Sequence, residues 1–196
     1  MKKIGILLGG ALALAACSTT PKPPAVVDIN NPLLAPGYVA QAASSDQFEI
    51  QSGQLALSAS QNPSVRQFAN MIIADHTHSS QMIMAAANAA HVPPPPPGML
   101  PAQQAMLTQL RSAGTGYSFD QTFQQVQIQA HQSALALHQN YASSGDLAPL
   151  RAVAAQIVPV VQRHLALAQS LQIAPPAPPP APPPPPPPVR RSGERG

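Results

Sequence analysis

The chain has one cysteine, no tryptophan, three tyrosines and four phenylalanines among its 196 residues. A lone thiol, Cys17, excludes an intrachain disulfide, so packing alone must hold the fold. Charge is equally scarce, with 9% of residues Asp, Glu, Lys or Arg. Between 38 and 172 the fixed cations are Arg66, Arg111, Arg151 and Arg163, set against Asp46, Glu49, Asp75, Asp120 and Asp146. That stretch has no basic patch, which together with the missing Trp argues against a nucleic-acid partner. Alternating β-branched runs are absent, which argues against a sheet. No apolar run beyond the first residues approaches the roughly 20 needed to span a membrane as a helix. Gly-x-Ser-x-Gly, His-Glu-x-x-His and P-loop patterns are missing too. The lone Gly114-x-Gly116 does not replace them.

The two ends carry what is plentiful. Lys2 and Lys3 precede a short apolar run, Ile4 to Ala16, that ends in Leu14-Ala15-Ala16-Cys17. A basic head, a short apolar stretch and small residues at a cleavage point describe an export signal. The last four residues resemble the lipobox of bacterial lipoproteins. That resemblance implies removal of 1–16 and acylation of Cys17, which also rules out thiol catalysis. Ser18 in place of Asp then points to the outer membrane. Without Lys2 and Lys3, eight basic residues face seven acidic ones, a net +1. Residues 17–37 read as a lipidated tether. Residues 174–196 are mostly Pro and Ala and end in Arg190, Arg191 and Arg195, a composition suited to extended polyproline II. This tail is either a solvated spacer or a contact for anionic envelope polymer or a proline-reading protein.

The middle, 38–173, reads as four long helices at 38–60, 63–91, 118–143 and 147–172. A short fifth lies at 101–112, between the second and third long ones. Asn62-Pro63 supplies an N-cap and a proline at the first helical position. Ser118 to Gln121 fits a capping box, and Gly145, Asp146 and Pro149 open the last helix. Val92-Pro93 and Ala174-Pro175 are stops. The expected fold is an all-α, antiparallel four-helix bundle. Pro159 should bend the fourth long helix about one turn before His164.

Placing the helices on wheels of about 100° per residue assigns their inward faces. Val65, Phe68, Ala69, Ile72 and Ile83 form one stripe, with His76 near its middle. Leu150, Ala154, Ile157 and Val161 form another, containing His164. Glu49 lies between the two apolar edges of the first helix, and His131 holds the matching place in the third long helix. The midpoint of 49 and 76 falls at the Asn62-Pro63 turn. The midpoint of 131 and 164 falls near the Gly145–Pro149 turn. Antiparallel packing should therefore bring Glu49 level with His76 and His131 level with His164. Unpaired ionisable groups in a core are costly, so these four should satisfy one another or bind something. Three imidazoles and a carboxylate suit one divalent transition metal (Zn, Cu, Fe or Mn), with Asp75 as acceptor behind His76. A metal-free buried network satisfies the same residues. His78 falls on a polar face, and His138 should pair with Tyr141 or Gln124.

Phe48-Glu49 through Gly53-Gln54-Leu55-Ala56, Asn62-Pro63-x-Val65-Arg66-x-Phe68-Ala69 and Asp75-His76-Thr77 are followed by Phe119-Asp120, Ala130-His131 and Pro159 to Ala168. In combination these resemble the bacterial outer-membrane protein family known as domain of unknown function four-one-four-two. The resemblance spans about 38–172 and implies a ferritin-like four-helix bundle, exported and often lipid-anchored, without a defined activity. The di-iron pattern of two glutamates plus two Glu-x-x-His pairs is absent, because Glu49 is the domain's sole glutamate. The expected function is a non-enzymatic envelope lipoprotein with a binding or stress-related module. The alternatives are an inert spacer acting through its tail and, ranked last, a metal-dependent oxidoreductase.

Overall fold

The structure, a computed structural model, describes residues 28–175. The export signal, Cys17, most of the tether and nearly all of the proline-rich tail lie outside the described residues. Five helices and no strand occur among the described residues: α1 Ala35–Ala59, α2 Pro63–Ala89, α3 Pro101–Ser112, α4 Tyr117–Ser144 and α5 Ala148–Gln169. None is long and apolar enough to cross a membrane.

The long helices close a ring in the order α1, α2, α5, α4, as in a four-helix bundle. Every neighbouring pair is antiparallel. Asp46 meets His76 while Leu57 meets Arg66. Asp75 meets His164 while Ser64 meets Gln172. Gln124 meets Ala168 and Leu171, and the turn at the far end joins Gly145 to Arg151. Ser52 meets Gln127 while Tyr38 stacks on Tyr141. The helices α2 and α4 are therefore diagonal and parallel, so the connection between them must travel the length of the bundle. It does so on the outside, with α3 lying over α1 and α4 and burying Leu107 and Leu110. The Ser44 hydroxyl accepts from the Leu100 amide and fixes where α3 begins.

Local chemistry explains the ends. Asn62 caps α2 as expected, its side-chain oxygen accepting from the Ser64 amide at 2.9 Å. Arg66 donates to the carbonyls of Leu57 and Ser60, satisfying the exposed end of α1. The capping box expected at Ser118 does not form. The chain enters α4 through Gly114 and Gly116, both at positive φ, and Gly116 serves as cap, so the helix starts at Tyr117. Pro159 lies inside α5, exposed, and the helix continues through it.

The core has two apolar halves. At the pole holding the α1–α2 turn, Phe68, Phe119, Phe123, Val65 and Leu110 cluster. At the other, Tyr38, Tyr141, Leu150, Ile83 and Val161 cluster. Between them lies a polar layer of Asp46, Glu49, His76, His131 and His164, all buried.

Candidate metal centre

Three of the four expected site residues come together. The ligand nitrogens of His76, His131 and His164 lie within 4.8 Å of one another. Their ring centroids are 5.3–5.6 Å apart in each pairing. Phe68 packs against His131 and His164 at 6.0 and 6.3 Å and closes one side.

The second nitrogen of each ring is held by an acceptor, and this sets the tautomer. His76 Nδ1 donates to Asp46 Oδ1 at 2.8 Å. His131 Nδ1 donates to the Gln127 carbonyl at 2.9 Å. His164 Nε2 donates to Asp75 Oδ2 at 2.8 Å. A carbonyl or carboxylate can only accept, so the lone pairs fall on His76 Nε2, His131 Nε2 and His164 Nδ1. Those three atoms are buried and have no hydrogen-bond partner. Orphaned buried polar atoms are rare, and three converging ones have the donor set of a cation site. At ordinary Zn–N lengths of about 2.0–2.1 Å, ligand nitrogens sit roughly 3.3–3.6 Å apart. The rings would close by about an ångström to reach that, a side-chain adjustment. When bound, such an ion supplies Lewis acidity or one-electron chemistry according to its identity.

Protonation is consistent with ligation at two of the three rings. Burial pushes His131 down to about 3 and His164 down to about 4, so both stay neutral. At His76 burial acts in the same direction, but the hydrogen bond and charge of Asp46, aided by Glu49 and Asp75, outweigh it and raise the value.

Three expectations need correction. Asp75 does stand behind a ligand, but the ligand is His164 rather than the adjacent His76. Consecutive helical residues point about 100° apart, so Asp75 turns toward α5 and bonds both His164 and Arg163 through one oxygen. His76 takes Asp46 instead, and Ser80 holds the second oxygen of Asp46 at 3.0 Å. Sequence reading missed Asp46, although it lies three residues before Glu49 and hence near the same face. Glu49 reaches the layer, but on the Nδ1 side of His131, with its oxygen at 3.6 Å. Both its oxygens are buried without partners, and burial raises its pKa to about 7 against the pull of His76. It stands beside the triad rather than within it. His138 pairs with neither Tyr141 nor Gln124. Its Nδ1 bonds the Tyr38 hydroxyl at 3.0 Å, and Tyr141 stacks on Tyr38 at 3.9 Å. His78 is exposed, as expected.

Fold and site together define a helical bundle with a buried three-histidine cluster, each ring braced by an oxygen acceptor. The chain belongs to the family described as domain of unknown function (DUF4142), whose model matches residues 29–171. Two solved structures are similar in fold, described as CopM in the Cu(II)-bound form and CopM in the Ag-bound form. Each is 18% identical and covers 69% of this chain and 93% of its own, with TM-scores of 0.59 and 0.57. No curated protein matches the sequence at a significant level.

Proposed function

We propose that this protein is a lipid-anchored envelope metal-binding module, whose ferritin-like bundle holds one transition-metal ion on His76, His131 and His164. The observation that carries the reading is the three buried, unpartnered imidazole nitrogens facing one another. Imidazole suits copper and zinc among the first-row ions, and neutral histidines with fixed second nitrogens are ready ligands. Copper is the first candidate, because the similarly folded CopM structures are described as bound to Cu(II) and to Ag. The carboxylates of Asp46 and Asp75 offset the charge of the ion through the rings. Glu49, one residue-width away, adds a third negative group that ionises most readily when a cation is near. The role fits capture or storage, with the acylated Cys17 holding the bundle at the outer membrane and the proline-rich tail acting as spacer or partner contact.

Metal analysis of the full mature chain tests this. One equivalent of copper should stay bound through dialysis, and His76→Ala/His131→Ala should lose it. If both forms emerge metal-free while folded, the cluster is a metal-independent hydrogen-bonded network and the proposal fails.

A further inference from the structure

A cavity of about 410 Å³ lies between α1, α4 and the overlying α3, on the side of the bundle away from Asp75 and Arg163. Its walls include Gln41, Gln103, Gln129, Ser45 and Ser133, and no residue lining it is charged. These five offer neutral amide or hydroxyl oxygens whose lone pairs can face a cation in transit without holding copper as imidazole does. Its floor is set by the helix geometry. On α1, Ser45 sits between Gln41 in the cavity and Glu49 in the core, about one turn from Glu49. On α4, Ala134 holds the equivalent place between Leu137 and His131, and it too lines the cavity. The antiparallel pairings Glu49–His131 and Ser52–Gln127 put Ser45 and Ala134 level with each other. Two of the smallest side chains therefore face one another between an open cavity, lined by apolar as well as amide and hydroxyl groups, and the buried histidine layer.

Resting on the metal reading above, we infer that this cavity is the entrance by which the ion reaches the triad, passing between Ser45 and Ala134 and then over Glu49. The triad itself is sealed, with His76, His131 and His164 all buried, and so is Glu49 beside it. Phe68 blocks the direction of the α1–α2 turn. In the α2–α5 gap the Arg163 guanidinium is clamped to Asp75 at 2.8 Å, and the pair closes that side over His164. On the α1–α4 side no ion pair stands over the cavity, and only Ser45 and Ala134 separate it from the polar layer. Glu49, fully buried with two unpartnered oxygens just inside the constriction, gives a cation an intermediate resting place. Along this route α3 forms the roof of the cavity and fixes its mouth through Ser44, Leu100 and Gln103.

The experiment follows Cu(II) uptake by the metal-free mature chain in stopped flow, and measures equilibrium stoichiometry in parallel. Ser133 is exposed at the mouth, so replacing it should not disturb folding. Ser133→Arg should slow uptake about fivefold and Ser133→Glu should speed it, both effects fading with added salt. Ala134→Leu, which thickens the floor, should slow uptake about tenfold or more while one equivalent still binds in the end. If the wild type takes up no copper, the metal reading falls and the entrance with it. If the wild type loads and the Ser133 variants load at its rate, the entrance alone is wrong. Acceleration confined to Arg163→Ala also overturns it and moves the route to the α2–α5 gap.

Discussion

Asp46 shows how a single side chain tunes a site it does not join. Its carboxylate fixes the His76 tautomer and, with Ser80, the ring orientation. Asp46→Ala should weaken copper binding by about 10- to 100-fold, as read by competition with a chelator, while one equivalent still binds at saturation. Glu49 carries a different prediction. A carboxyl whose folded pKa is raised contributes stability below its unfolded value, near 4.5, and loses it as pH rises through about 7. Ionised Glu49 therefore weakens the metal-free fold at alkaline pH, by an upper figure of about 3 kcal/mol. Glu49→Gln should be more stable than the wild type in denaturant at pH 8, with the advantage gone at pH 5. Equal gains at both pH values would mean the carboxyl does not titrate there. At this scale the sequence was legible where a polar residue broke an apolar stripe, as at His76 and His164. It was opaque where side-chain direction decided the partner. Asp75 lies next to His76 in sequence yet bonds His164, and Tyr38 reaches His138 across a hundred positions.

Among elements, the α1–α2 contact depends on Gly53. A Cβ built there would sit 2.7 Å from Ile73 Cγ1 and 3.0 Å from the Ala69 carbonyl oxygen. Helix propensity alone favours Ala over Gly by about 1 kcal/mol. Here the clash includes backbone, so separating the helices outweighs that gain, and Gly53→Ala should destabilise by about 1–3 kcal/mol in urea unfolding. A stabilised variant would show that the two helices separate freely. The elements themselves were read to within a few residues, because Asn62-Pro63, the proline run after Val92 and Pro149 punctuate the chain chemically. The start of α4 was misread because Ser118 and Gln121 imitate a capping box. The positive-φ glycines at 114 and 116 instead let the chain turn in one residue earlier.

For the whole molecule, the polar layer splits the core, so stability without metal should follow the histidines. His131 and His164 have depressed values in the fold. Their contribution is complete above about 6.5 and declines as pH falls toward about 3 and about 4. His138, pushed down to about 4 by burial, acts in the same sense. Glu49 and His76, both raised, act in the opposite sense, but three depressed histidines outweigh them, so the metal-free bundle should show a net loss of stability between pH 6 and pH 4, followed by circular dichroism in urea. Copper in excess should raise the unfolding free energy at pH 7 by about 4 kcal/mol at a thousand times its dissociation constant. A chelator should reverse the gain. Antiparallel arrangement and the common level of the histidines followed from the two midpoints in the sequence. The cavity under α3 did not, because its walls come from three helices whose spacing no single-helix pattern encodes.

The ring places the first and last described residues at opposite poles. Leu33 is stapled to the α4–α5 turn by the Asp146 amide at 3.0 Å, while Gln172 is tied to Asn62 at the far end. With 25 residues in α1, the two exits stand about 35–40 Å apart. The described chain thus enters the bundle at one pole and leaves it at the other, so whatever each flank attaches to is kept a full helix-length from the other.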